Sequence, residues 1–454
     1  MNIGAMKAIV YIETLGCQMN VADTERASTR LREAGFVLTD SVQSADVVIF
    51  NACSVRARAV QKVFTRIGEV RNSKHGHGPI IGVMGCVAQL EGESLFDHSF
   101  KVDLVIGTKA TDRLPLLIES ALQGQRKSID LGNRGEGEFW NVSASVRHSP
   151  FVAFVPIIEG CNKFCSYCIV PFSRGREISR TATEIIDEVC RLREEGFYEI
   201  HLIGQNVNSY RPRTDRGLEG FPGATPFSRL LRAVAATGMA RIKFTTSFPR
   251  DFHQDIVKAI DENENLCDWV HLPVQSGSNR ILRSMRRGYN IKDYLRRVDV
   301  IKNARRRLAL TSDIIVGFPG ETSEEFEETL SLVKRCQYDN LYIFKYSERP
   351  GTSAAHLKDD ISSQEKTTRF LTLESLQRNI QNGINKSYIG RELRVLVEGE
   401  SAKSKFDMTG HSTCHKVINF PGDVSLRGCE ISVCVTDVKA NSLYGAQSNM
   451  PSLP

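Results

Sequence analysis

Cys161, Cys165 and Cys168 fall within the stretch EGCNKFCSYC, separated by gaps of three and two residues. That spacing is too tight for three unrelated core positions, but a loop carrying it can turn three thiolates toward one iron–sulfur cube. Four cysteines are the usual complement of such a cube. A loop with three therefore leaves one iron open to bind and reduce a small-molecule cofactor. Zinc loops instead pair a CxxC with a distant CxxC or histidine pair, and the next cysteine, Cys190, lies inside a helical pattern. A disulfide framework does not suit so long a chain whose N-terminal residues lack the charged-then-apolar pattern of a secretory segment. The expected setting is reducing and cytoplasmic.

A second set of cysteines is dispersed in sequence. From Lys7 to Leu122 short apolar strands (Ala8–Ile12, Val47–Phe50, Ile80–Met84, Val102–Ile106) alternate with helical patterns (Ala22–Ala34, Arg56–Arg71, Arg113–Leu122). This alternation predicts a parallel α/β sheet. Three strands run into a small-residue turn holding one cysteine each, at Cys17, Cys53 and Cys86. In an open parallel sheet the C-terminal strand ends converge on the ligand crevice, so these thiols are expected to meet and form a second metal site. The competing reading is three separate small apolar fillers.

The elements that must position the first loop form a second α/β run. Strand patterns at Val152–Ile158, Glu199–Ile203, Arg241–Thr245, Trp269–Leu272, Leu310–Val316 and Leu341–Lys345 alternate with helical ones. Six βα units in series predict a (βα)6 part-barrel with its chemistry at the C-terminal strand ends, where the cysteine loop falls. A polar helix over Gln364–Asn385 follows. Short β patterns punctuated by Gly399, Gly410, Gly422 and Gly428 then predict a small β-barrel of a size that binds oligonucleotides. The expected organisation is an N-terminal parallel α/β domain over 6–122, a linker over 123–149 pinned by Phe139 and Trp140, a core over 150–385 and a terminal barrel over 386–447.

The chain has 454 residues, 41% of them apolar, enough for two to four cores. No apolar run approaches the length of a membrane span. Charge is modestly positive, 59 basic against 53 acidic residues, but Arg280–Arg307 holds eleven Lys/Arg and two Asp. That density suits either phosphates or a solvated helix face. Cys190, Cys267 and Cys336 read as buried thiols. His411, Cys414, His415, Cys429 and Cys434 fit no common zinc spacing.

Over nearly its whole length the chain resembles the MiaB methylthiotransferases, radical S-adenosylmethionine (SAM) enzymes with an N-terminal methylthiotransferase domain, a radical SAM core and a C-terminal TRAM domain. The resemblance rests on TLGCQMN (Thr14–Asn20), NACSVR (Asn51–Arg56), GVMGCVAQ (Gly82–Gln89) and EGCNKFCSYCIVPFSRGREISR (Glu159–Arg180). It extends through LIGQNVNSY (Leu202–Tyr210), HLPVQSGSNRILRSMRRGY (His271–Tyr289), SDIIVGFPGET (Ser312–Thr322) and the terminal VLVEG and NSLYG stretches.

The resemblance implies a 4Fe-4S cluster on Cys161, Cys165 and Cys168 whose open iron chelates SAM, and an auxiliary 4Fe-4S cluster on Cys17, Cys53 and Cys86. It implies transfer of a methylthio group to carbon 2 of N(6)-dimethylallyladenosine next to the anticodon, with the tRNA anticodon stem-loop as partner. It further implies a reductant such as flavodoxin or ferredoxin, a sulfur donor or iron–sulfur carrier, and a monomer away from membranes. Candidate SAM contacts are Tyr167, Gly204, Gln275, Ser276 and Asp313, and candidate RNA contacts are Arg286, Arg287, Lys403, Lys405 and Lys416. Arg174 and Arg176, after the loop, could meet a carboxylate or an RNA phosphate. No catalytic side chain is expected beyond the cluster ligands, because an aromatic C–H has no acidic proton and radical chemistry belongs to the cofactor. Alternatives are action on threonylcarbamoyladenosine or on a ribosomal-protein aspartate and, in another class, a non-catalytic iron–sulfur redox sensor that binds RNA.

Overall fold

The structure is a computed structural model that describes residues 7–54, 57–73, 78–97, 102–132, 140 and 142–448. Val55, Arg56 and Phe139, named above, lie outside the described residues. The chain divides into two compact units. The first takes in the described residues through Phe164 with Cys168–Ile178 and Ile203–Gln205. The second takes in Cys165–Tyr167, Ser179–Leu202 and the described residues from Asn206 onward.

The first unit is built on a six-stranded sheet in the order Val37–Leu38, Ile9–Leu15, Val47–Ala52, Ile80–Gly85, Leu104–Ile106, Ser128–Asp130, parallel throughout. Every residue of Val47–Ala52 and Ile80–Gly85 is buried, as a sheet covered on both faces requires. One face packs under Ala27 and Leu31 of helix Gln18–Glu33 and Leu114 and Ile118 of helix Leu114–Leu122. The other packs under Val63, Ile67 and Val70 of helix Ala57–Ser73.

The sixth strand corrects the expected linker. Ser128–Asp130 pairs with Leu104–Ile106, and Asp130 holds Arg113 at 2.6 Å. Trp140 packs among Met19, Ala22 and Phe154, with the Arg26 guanidinium 4.9 Å above its ring. Arg147 forms a buried ion pair with Glu25 at 3.1 Å.

In the second unit, strands Glu199–Ile203 and Arg241–Phe244 pair in parallel, as do Trp269–His271, Ala309–Val316 and Asn340–Lys345. Val152–Pro156, the first of the six expected strands, is present and belongs with the first unit. Helices Ala182–Glu194 and Ser323–Cys336 begin in capping boxes, Thr181 with Glu184 and Thr322 with Glu325, which satisfy otherwise orphaned N–H groups. Helix Ser363–Lys386 leads to a closed five-stranded barrel in the order Glu392–Ser401, Ser404–Ser412, Val417–Pro421, Leu443–Gln447, Glu430–Val438.

That terminal barrel shares one core with the α/β strands: Trp269 and Ala309, each the first residue of its strand, pack with Val395, Val397, Met408, Ile418, Phe420 and Val433. It therefore seats on the N-terminal strand ends, opposite the ends expected to carry chemistry. Glu199 fastens the contact, holding Arg241 Nε at 2.8 Å and His411 Nε2 at 2.9 Å. Lys416, expected to face RNA, instead is buried and pairs with Asp339 at 3.0 Å. Among the described residues no helix is long and apolar enough to cross a membrane.

Candidate functional site

Sheet register brings Cys17, Cys53 and Cys86 to the same end of three adjacent strands. Leu15 lies opposite Ala52, and Ala52 opposite Gly85, so Cys53 and Cys86 follow paired residues directly and Cys17 comes two residues after Leu15. A clasp of two buried asparagines ties these turns together. Asn20 Nδ2 donates to Asn51 Oδ1 at 2.9 Å, and Asn51 Nδ2 donates to Asn20 O at 2.8 Å and Thr24 Oγ1 at 3.0 Å. Asn20 Oδ1 also accepts from the Cys17 backbone N–H and thiol, each at 3.3 Å. A side chain on Gly85, at φ 91°, would lie 2.3 Å from Asn51 Oδ1, so glycine there is a steric requirement of the clasp.

The thiols at this site shift in opposite directions. A hydrogen bond with Cys53, working against desolvation and aided by the Arg174 charge, brings the Cys17 thiol down to about 6. Burial raises the Cys86 thiol, with Arg174 opposing it. Arg174 is itself buried, between Asp23 at 2.6 Å and Glu159 at 3.3 Å. Ser54 Oγ, beside Cys53, is buried without a hydrogen-bond partner. Three soft thiol donors suit an iron–sulfur cluster and suit a hard cation poorly.

The CxxxCxxC loop is shaped by backbone. Gly160, at φ 80°, packs so that an added Cβ would lie 2.2 Å from Arg176 O, and Cys161 N donates to Gly175 O at 3.2 Å. Gly160 N also donates to Gln205 Oε1 at 2.5 Å. Cys161 and Cys165 are buried and Cys168 is half-buried. In the second unit, Ser166 N and Oγ donate to Met285 O at 3.1 Å and Ser284 O at 2.8 Å, while Arg287 Nη1 donates to Cys165 Sγ at 3.3 Å. Arg287, expected to contact RNA, is thus a buried neighbour of Cys165, one of the expected cluster ligands.

Of the candidate SAM contacts, Tyr167 packs against Ile281, Met285 and Phe318. Gln275, at φ 80°, bridges to the strand beside it, donating to Asp313 O at 2.8 Å and accepting from Ile315 N at 2.9 Å. Ser276 is fully buried, and Asp313 stands 3.4 Å from His271 Nε2. Gly204 packs so closely on Ile158 that a Cβ would lie 2.3 Å from its side chain. Three residues outside the sequence-based set stand after strands of the second unit: Asn206 Oδ1 and Ser247 Oγ are buried with no partner, and Thr246 is held at φ 69°. Orphaned polar atoms and strained backbone at these ends fit a polar ligand. Their signal in sequence was confined to the turn residues after each strand.

The basic run is mostly consumed internally. Arg280 pairs with Glu325, Arg296 with Asp293, and Arg306 with Asp268 at 2.6 Å. What remains is an open groove of about 810 Å³ lined by Arg283, Arg286 and Lys292 with Tyr289. On the terminal barrel Lys403 and Lys405 are exposed, and Phe406 beside them is 85% exposed, a residue the charge-based reading missed.

Cys267 and Cys336 are buried, but Cys190 is only half-buried. Among the described residues, Glu199, His201 and His411 could close on one ion. Arg241 and Lys243 already supply cationic charge there, and hydrogen bonds occupy the carboxylate. This group is a structural ion-pair network.

Residues 9–107 match the sequence profile described as uncharacterized protein family UPF0004, residues 155–333 that of the radical SAM superfamily, and residues 386–446 that of the TRAM domain. The chain is 44% identical over 440 residues to tRNA-2-methylthio-N(6)-dimethylallyladenosine synthase of Solibacter usitatus, covering 96% of this chain and 97% of that one. It is 41% identical over 450 residues to the synthase of the same name from Geobacter sulfurreducens, with 96% of each covered. In fold it is similar to the radical SAM methyltransferase TsrM of Kitasatospora setae, solved with cobalamin and a [4Fe-4S] cluster, at TM-score 0.54, 14% identity and 77% coverage of each chain. With three domain profiles in order and relatives this close along almost their full length, the chain belongs to the tRNA-2-methylthio-N(6)-dimethylallyladenosine synthase family of MiaB-type radical SAM methylthiotransferases.

Proposed function

We propose that the chain adds a methylthio group to carbon 2 of N(6)-dimethylallyladenosine beside the tRNA anticodon. The observation that carries this reading is the pair of all-cysteine donor sets, one across the C-terminal ends of adjacent parallel strands and one on the CxxxCxxC loop. Cys17, Cys53 and Cys86 would hold one 4Fe-4S cluster, and Cys161, Cys165 and Cys168 the other. When bound, the clusters and SAM supply the radical and the sulfur that acid–base chemistry cannot.

The protein's own residues hold and orient. Arg174, ion-paired with Asp23 and Glu159, lies beside the N-terminal thiols, and the Asn20–Asn51 clasp fixes their strand ends. Tyr167, Gly204, Gln275, Ser276 and Asp313, joined by Asn206 and Ser247, would take the methionyl and ribose groups. Lys403, Lys405 and Phe406 of the terminal barrel, with Arg286 in the basic groove, would meet the anticodon stem-loop. The working parts are 6–122, 150–385 and 386–447. A cytoplasmic monomer served by a low-potential reductant such as flavodoxin or ferredoxin, and by a sulfur donor or iron–sulfur carrier, completes the reading.

The test is anaerobic reconstitution followed by incubation with SAM, dithionite and tRNA bearing either dimethylallyladenosine or threonylcarbamoyladenosine, with nucleosides analysed by mass spectrometry. Methylthiolation of the prenylated nucleoside alone is expected. Methylthiolation of the threonylcarbamoyl nucleoside instead would overturn the substrate, and no 5′-deoxyadenosine with any tRNA would overturn the chemistry.

A further inference from the structure

Arg286 and Arg287 are neighbours with opposite fates. Helix Asn279–Ser284 ends at Met285, and Arg286 takes a left-handed φ of 56°. Arg286 is thereby exposed, while Arg287 turns inward and is 4% exposed. The Arg287 guanidinium is fully engaged: Nη2 donates to Pro273 O at 2.8 Å, Nε to Tyr289 OH at 3.1 Å, and Nη1 to Tyr167 OH at 3.4 Å and Cys165 Sγ at 3.3 Å. Its Cζ lies 4.2 Å from the Phe248 ring centroid and 5.4 Å from that of Tyr289.

No carboxylate pairs with it among the described residues; its electrostatic neighbours are Tyr167, Tyr289 and Cys165. This separates Arg287 from Arg174, which two carboxylates neutralise. A buried guanidinium with no counter-ion costs several kcal/mol, so the fold keeps a charge here that another group must balance. A cubane core in its oxidised resting state, held by three thiolates, has a formal net charge of minus one, and of minus two once reduced.

We propose that Arg287 is the counter-charge of the SAM-binding cluster: it donates a hydrogen bond to the Cys165 sulfur, holds that ligand in place and eases entry of the reducing electron. The inference rests on the cluster reading of Cys161, Cys165 and Cys168. In the step concerned one electron passes from a low-potential reductant to the cluster, which gains one negative charge; no bond forms or breaks and no proton moves. A fixed positive charge and an N–H···S hydrogen bond both favour the reduced form and so raise the potential. Arg287 is on this account a positioning and tuning residue.

The test uses the full chain with Cys17, Cys53 and Cys86 replaced by alanine, reconstituted anaerobically so that only the loop cluster loads. Redox titration with dithionite is followed by the EPR signal of the reduced cluster. Arg287→Met is expected to lower the equilibrium constant for reduction at least tenfold, about 59 mV for one electron, at unchanged iron content. Arg287→Lys, which keeps the charge, is expected to recover at least half of that shift. Equal midpoints for Arg287→Met and its parent at equal iron would overturn the proposal.

Should Arg287→Met fail to load iron, the unsubstituted chain grown with ¹⁵N-arginine decides. Pulsed EPR of its loop cluster should resolve a guanidinium nitrogen coupling, and absence of that coupling would overturn the proposal. A parent protein that loads no cluster at all would overturn the cluster reading, and this inference with it.

Discussion

Asn51 makes three hydrogen bonds in a buried position, and through Asn20 it couples the turn that carries Cys17 to the strand that leads to Cys53, with Gly85 packed against it. Asn51→Ala would leave the buried Asn20 side-chain amide without its partner, at about 1–3 kcal/mol. The expected result is a loss of about 1–3 kcal/mol in urea unfolding of the apo protein. Reconstituted samples should also lose iron preferentially from the N-terminal site, and retention of full iron there would count against the clasp. Gly85→Ala is expected to act on the same pair of asparagines from the other side. Its backbone sits at φ 91° and the added methyl would lie 2.3 Å from Asn51 Oδ1, so a cost of about 1–3 kcal/mol from strain is expected, read by the same unfolding assay.

At the level of elements, the joint between the terminal barrel and the α/β strand starts is electrostatic as well as apolar. His411 faces Glu199, Glu398, Lys243, His201, His415 and, through its carbonyl, Arg241. Desolvation lowers its pKa, but hydrogen bonds to Glu199 and Glu398 outweigh this and the net direction is upward. A raised histidine contributes stability that is full below its unfolded pKa of about 6.5 and fades as pH rises through the folded value. Glu199 runs the other way, its pKa held well below normal by His201 and His411 despite burial. Its contribution is present above about 4.5 and is lost on acidification. The stability gap between the parent and His411→Gln is therefore expected to be widest between these limits and to narrow above neutrality, as thermal unfolding across pH would report. A gap that grows with pH would reverse the assignment.

For the whole molecule, burial separates the exposed basic residues proposed to meet RNA from the structural ones. Replacing Lys403 and Lys405 by alanine should flatten the dependence of log affinity for tRNA on log salt by about 0.7–0.9 for each phosphate no longer neutralised. Phe406→Ala should weaken binding by about 1–3 kcal/mol, as removal of one base-stacking partner does, with the salt slope unchanged. Lys416→Ala is expected to lower thermal stability instead, because it leaves Asp339 without its ion-pair partner. Fluorescence anisotropy over a salt series and a melting curve on each variant distinguish these outcomes; a Lys416→Ala protein of full stability and reduced salt slope would restore that residue to the RNA face.

Local pattern sufficed for much of this. The strand–helix alternation, the closed terminal barrel and the cysteine positions were legible because periodicity, turn glycines and short-range spacing are local properties of a chain. Burial was not. Arg286 and Arg287 are the same residue type side by side, and one left-handed backbone angle sends them to opposite environments. Lys403 and Lys416 look alike in sequence, yet one meets solvent while the other is held by Asp339, seventy-seven residues earlier. The sixth strand at Ser128–Asp130 was hidden because three residues of unremarkable composition become a strand only when an open sheet edge is present to pair with them. Residue types and spacing thus determined which ligands this protein can offer, since thiol chemistry is intrinsic to the side chain. Only the tertiary structure decided which charges those ligands meet, because a charge acts through distance and burial that the order of residues does not contain.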